Sequence, residues 1–200
     1  MGINANKVFV GMADQSATTG ALARGAVIAG SSIPAEADID AALALITNFS
    51  SSGYVSEEGA NLTTEISTTD LREWNRAVVR RLLDEFTGTV TLTLIQLDEE
   101  SAKQAFGADN VTVVAANATH GTRIRIALGA HIDKPQAWAL RMKDGDARTL
   151  VIIPNGQVTS GVEITFVANE PISLPVTISA NDDGTGNSIY IFTDDGVIAA

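Results

Sequence analysis

The sequence predicts a mainly β domain of the α+β kind, a β-barrel or sandwich with one or two flanking helices and long extended loops or arms. Three observations carry this. Hydroxyl and apolar side chains alternate with period two, most strictly where Thr87, Thr89, Thr91 and Thr93 interleave with Val90, Leu92 and Leu94; that pattern describes a sheet with one buried and one wet face. The dipeptides Asp144-Gly145, Asn155-Gly156 and Asp183-Gly184 fall among such segments, and each favours a tight hairpin turn. Helical spacing with a capping residue occurs in only a few places.

Taken in order, Asn4 to Gly11 holds a short apolar strand behind a polar tip. Residues 12 to 35 are rich in Ala, Gly, Ser and Thr, without apolar periodicity. A structureless stretch of that length points to an interaction element. From Glu36 to Phe49, Ile39, Leu43 and Ile46 recur at helical spacing, Asp38 is placed to cap the start, and Ser50 to Gly53 close the segment. Leu62, Thr64 and Ile66 then alternate with Thr63, Glu65 and Ser67 as a strand. Ala77 to Phe86 fits two descriptions, a helix stripe of Val78, Val79, Leu82 and Leu83 or a continuation of the sheet. A second helix begins at Asp98, with Glu99 and Glu100 at its positive end, Ala102 and Phe106 facing the sheet, and Gly107 closing it. Short strands are predicted over 111–114, 123–128, 137–142, 149–153, 162–167, 176–180 and 189–192.

Two hundred residues at 45% hydrophobic and 18% charged suit a single folded domain spanning 1–200. The absence of cysteine excludes disulfides and thiolate metal sites. The start lacks a basic stretch followed by an apolar core, which predicts no standard secretory signal. No apolar run reaches the roughly 18 residues of a membrane span. The net charge of −11 and the scattered Lys and Arg speak against holding DNA, because phosphate contacts need clustered basic groups.

The sequence offers no catalytic constellation and no cofactor motif. His120 and His131 lie outside any metal-ligand spacing, and no nucleophile elbow, phosphate loop or dinucleotide fingerprint occurs. The acidic loop Asn181 to Asn187 has the oxygen ligands a calcium ion needs, but the twelfth position from Asp182 is Thr193 in place of a bidentate Glu. A polar hairpin turn accounts for it better. Trp74 and Trp138 read as core or interface anchors; the alternative is a carbohydrate- or surface-binding β-sandwich using an exposed tryptophan.

Ordered short motifs resemble the major tail, or tail tube, proteins of long-tailed, non-contractile phages (siphophages) of actinobacteria. They are Asn4-Ala-Asn-Lys-Val-Phe-Val-Gly11, Gly53-Tyr-Val-Ser-Glu-Glu-Gly59, Thr69-Asp-Leu-Arg-Glu-Trp74 and Val90-Thr-Leu-Thr-Leu-Ile95. They continue as Phe106-Gly-Ala-Asp-Asn-Val-Thr112, Leu150 to Thr159, Pro175-Val-Thr-Ile-Ser-Ala180 and Tyr190-Ile-Phe-Thr-Asp-Asp-Gly196. Asn75 departs from the glycine expected after the tryptophan, and residues 36–49 are longer and more helical than the usual linker.

The resemblance implies a non-catalytic virion protein without cofactor or metal, assembled in the host cytoplasm into stacked hexameric rings. Its implied partners are further copies of itself, the tape measure, tail terminator and distal tail proteins, and DNA that passes without specific binding. No membrane is involved. Residues 12–52 are then expected to form an arm used between subunits, mobile until polymerisation. Asn4, Asn6, Lys7 and Phe9, with Asp70, Arg72 and Trp74, are candidates for inter-subunit contacts. Glu65, Thr87, Thr89, Thr91 and Thr93 are candidates for the lumen wall. Acidity and small hydroxyls suit a conduit through which DNA slides.

Overall fold

A computed structural model describes residues 10–14, 20–129, 133–159, 161, 163–164 and 166–197. The strands are β1 (Leu22–Gly25), β2 (Ser50–Ser51), β3 (Val55–Arg72), β4 (Val78–Leu94), β5 (Val111–Val114), β6 (Arg123–Ile126), β7 (Gln136–Asp144), β8 (Ala147–Val158), β9 (Leu174–Ala180) and β10 (Tyr190–Asp194). The helices are α1 (Ile39–Leu45) and α2 (Glu99–Phe106). One antiparallel sheet runs β2-β1-β7-β8-β9-β4-β3, with β10 paired to β8, and β5–β6 make a separate pair. The mainly β class with flanking helices is the one predicted.

The centre of the sheet is covered on both faces. Ala23, Ala137, Ala139, Leu150 and Ile152 pack under α1 and β10 with Ile39, Ile46 and Phe192. On the other face Leu22, Trp138 and Ile153 join Val90, Leu92, Leu94, Val176, Ile178 and Ala105 of α2. That double cover explains why Leu150 to Ile153 is a continuous apolar run while β4 and β9 alternate.

Both helices begin where their caps predict. Asp38 accepts from the Asp40 and Ala41 N–H groups at 3.0 Å. Asp98 and Ser101 form a reciprocal capping box, and Gly107 ends α2 at φ +87°. Arg24, almost fully buried on β1, donates to the Lys103 carbonyl at 3.0 Å and lies near Asp133 (3.7 Å) and Glu100 (3.9 Å), fastening α2 to the sheet. Burial lowers its pKa, and the two carboxylates oppose that.

Four local expectations are corrected or refined. Within 12–35, expected to be a structureless arm or loop, the described residues 20–35 carry β1 and a 3-10 turn at Gly30–Ser32, with Leu22 and Ala23 in the core, while α1 is the helix predicted within 36–49. Small residues hide this, since buried Ala and Gly give little period. Of the ambiguous residues 77–86, Val78 to Phe86 are all strand within β4, because register shifts opposite Ser67/Thr68 and Leu71/Arg72 break the alternation and leave helix-like spacing. Asn155-Gly156 is no turn but lies inside β8. A Cβ at Gly156 would stand 2.7 Å from Trp138 Cδ1, and the indole N–H donates to the Gly156 carbonyl at 3.3 Å. The described residues of 162–167 carry no strand.

Candidate assembly interface

The β3–β4 hairpin leaves the body of the sheet. β9 covers β4 only over Gly88–Leu94, so the remaining residues pair with β3 alone. From Gly88 to Val78 the ribbon extends about 34 Å at the usual rise per residue. It is not a polar loop. Ile66, Leu71, Val78, Val79, Leu82, Leu83 and Phe86 are all exposed along it, Leu83 by 66%. An isolated two-stranded ribbon with uncovered apolar groups is marginal in water, and covering this surface would stabilise it.

The tip brings together three of the predicted contact residues. Trp74 is 100% exposed in the turn between the strands. Arg76 closes that turn at φ +67°, a conformation costing a non-glycine residue about 1 kcal/mol. Arg81 Nε donates to Asp70 Oδ1 at 2.8 Å directly across the ribbon, and Arg72 Nη2 to Asp70 Oδ2 at 3.3 Å. Arg72 Nη1 also donates to the Arg76 carbonyl at 3.1 Å, tying the strand to the turn. The hydrogen bond to Asp70 raises the Arg81 pKa further. Asn4, Asn6, Lys7 and Phe9 lie outside the described residues. Sequence reasoning did not single out the apolar arm between Ile66 and Phe86; its signal was the set of hydrophobic residues in Val78–Phe86 with no opposing face to bury them.

The threonine face is a second surface. Val90, Leu92 and Leu94 point into the core, which turns Thr89, Thr91 and Thr93 to the opposite side. Across β9 they meet Ser179, Thr177 and Pro175; across β3, Thr63 and Asn61 stand opposite Thr89 and Thr91, and Glu65 opposite Thr87. Thr159 and Ser179 share a hydroxyl hydrogen bond at 2.7 Å. The patch therefore spans β3, β4, β9 and Thr159 just past β8 as a hydroxyl surface with no basic residue among these described positions.

The described surface also holds two concavities. One, about 770 Å³, lies between the start of β3 (Val55 to Ala60) and a side formed by Gly11, Met12, Ala13, Ala21, Leu140 and Met142. The Val10–Asp14 segment runs beside β7, held by Lys143 N–H to the Met12 carbonyl (2.9 Å) and by the Arg141–Asp14 ion pair (3.0 Å). The other, about 700 Å³, is acidic: Glu36, Asp38, Asp40, Asp194 and Asp195 line it with Ile39. Arg148 bridges Asp40 and Asp194 at 2.7 Å each, which raises its own pKa and lowers that of Asp194.

The acidic loop at 181–187 is fastened internally. Asp183 accepts from Tyr190 (2.6 Å) and Thr185 (2.7 Å), and its carbonyl from the Gly30 N–H (3.3 Å). Burial pushes the Asp183 carboxyl up, but the hydrogen bonds outweigh it and leave the pKa low. Among the described residues no group of His, Asp and Glu has the arrangement to hold a metal ion, and no helix is long and apolar enough to cross a membrane. His120 sits exposed in a turn organised by Asn117. Trp138 is core, not surface.

No curated protein sequence matches the chain. A cryo-EM structure of the anti-feeding prophage cap, described as a tube terminating cap, aligns at a TM-score of 0.41 and 11% identity, covering 68% of this chain and 79% of that one. The family profile of phage tail tube proteins matches residues 2–199. The chain belongs to the phage tail tube protein family, and is a structural component of a phage tail.

Proposed function

We propose that the protein is the major tube subunit of a long-tailed phage, forming hexameric rings that stack into a hollow conduit for DNA. The observation that carries this is the β3–β4 arm: an apolar ribbon ending in a fully exposed tryptophan, on a chain of the tail tube family. A sheet with a long free β3 edge and an uncovered arm is an aggregation hazard as a monomer, and closure against copies of itself removes the hazard. Trp74, Asp70 and Arg72 contact a neighbouring subunit in this reading.

The hydroxyl face bearing Thr87, Thr89, Thr91, Thr93 and Glu65 lines the lumen. A wall without Lys or Arg gives phosphate no counter-charge to bind, so DNA passes along it without a resting point. The tape measure, terminator and distal tail proteins meet the two ends of the tube, in a virion assembled in the host cytoplasm. The narrower placement among siphophages of actinobacteria rests on the ordered motifs of the sequence. Negative-stain micrographs of the purified protein test the reading. Rings or hollow filaments are expected; monomers at every concentration and salt would overturn it.

A further inference from the structure

The arm's tip and the groove at the base of β3 have complementary chemistry and lie at opposite ends of the same strand. The tip presents one large apolar side chain, Trp74, at full exposure, beside Arg72, Arg76, Arg80 and Arg81, which outnumber Asp70 and Glu73 and leave residues 70–81 with a net charge of about +2. Those four are a large share of the 13 Lys and Arg in a chain of net charge −11. The groove offers apolar walls at Met12, Ala13, Leu140 and Met142, and carries Glu57 and Glu58 on its β3 side. Indole and methionine side chains pair favourably through sulfur–aromatic contact.

We infer that the groove between Val55–Ala60 and Met12–Met142 receives the Trp74 tip of a second copy of this chain. The inference rests on the tube reading and names the receptor for its arm. The chain's own tip cannot be the occupant: fourteen residues of extended strand separate Ala60 from Trp74, about 46 Å at the usual rise. A knob at one end and its socket at the other make a heterologous, head-to-tail contact. Such contacts propagate into an open filament, not a closed dimer. The acidic concavity at Asp38 and Asp194 matches the arginines in charge but gives an indole little apolar wall, because its Ile39 is buried in the core.

The lack of cysteine makes paired cysteine cross-linking specific. Asn75→Cys beside the tryptophan and Ala60→Cys in the groove, placed on separate chains and mixed, should form a disulfide-linked dimer that neither forms with itself. Both substitutions in one chain should yield a ladder of oligomers. Asn75→Cys with Asp195→Cys should give no product. A ladder from that acidic-site pair, or filaments in micrographs without any Asn75–Ala60 product, would overturn the inference and leave the tube reading standing. A monomer-sized Asn4→Cys/Ala60→Cys product in the filament would show the chain's own start in the groove, with the same consequence. Absence of any polymer would remove both readings.

Charge exchange provides the second arm of the test. Glu57→Lys with Glu58→Lys should raise the concentration needed for polymerisation at least tenfold, and adding Arg76→Glu and Arg80→Glu should restore it. Circular dichroism of each variant checks that the subunit remains folded. Polymerisation unaffected by the lysines, or not restored by the glutamates in folded chains, contradicts the docking.

Discussion

Gly156→Ala separates two opposing effects whose sum has a definite sign. In the unfolded chain alanine is less free than glycine, which favours the variant by about 0.4–1 kcal/mol wherever the native backbone accepts a side chain. Gly156 accepts one by its backbone, having no left-handed φ. Space opposes it. The new methyl would meet Trp138 Cδ1 at 2.7 Å, Ile153 Cγ2 at 2.9 Å and Ile178 Cγ2 at 3.0 Å. All three belong to one buried cluster, so no flexible surface chain can yield. Overpacking of this kind costs about 1–3 kcal/mol, and the net loss should be about 1–2 kcal/mol. For a chain of this length that lowers the Tm by about 2–8 °C. Urea unfolding of dilute monomer, followed by Trp138 fluorescence in a Trp74→Phe background, measures it. A variant as stable as its parent, or more stable, would refute the account of this glycine as room for the indole.

Three further outcomes are expected. Amides over Ile66 to Phe86 should exchange within the unprotected range in the free subunit and slow markedly in the polymer; equal exchange in both states would show that the arm needs no partner. Thr91→Lys should give tubes that retain DNA at low salt and release it as salt rises, while tubes indifferent to DNA would place the hydroxyl face elsewhere than the lumen. Arg148 and the Gly196 N–H hold the Asp194 carboxyl below its usual 3.8. A lowered folded-state pKa gives stability that is complete above the unfolded value and is lost as pH falls through the folded one. Arg148→Met should therefore raise the Asp194 titration midpoint in NMR and move acid unfolding to higher pH. An unmoved Asp194 midpoint would show that Arg148 does not set it.

The sequence was readable wherever one period held. Asp98 to Gly107 announced α2 with both caps, and Thr87 to Leu94 announced which side chains enter the core. It was opaque where a local irregularity reset the period. Bulges opposite Ser67 and Leu71 turned a strand into apparent helix spacing over 77–86, and with it concealed the arm. Asn155-Gly156 imitated a turn because the demand on the glycine comes from Trp138, eighteen residues away in sequence. Asp70, Arg72 and Trp74, named as contact candidates from the motif around them, lie together near one tip. What sequence did not convey is that this tip stands clear of the body, since exposure of an apolar strand depends on where its neighbour β9 stops.

The position of the proposed contact residues on a long ribbon also has a mechanical consequence. A cantilever converts small rotations at its root into translations at its end: over about 34 Å of extended strand, a 5° change in root angle moves the tip by about 3 Å. Twist and flex in the two-stranded portion can absorb a displacement of that size without moving the doubly covered sheet behind it. A stack joined through such arms therefore places its compliance between subunits and its stiffness within them, so that it can curve along its length while each bore segment keeps its shape.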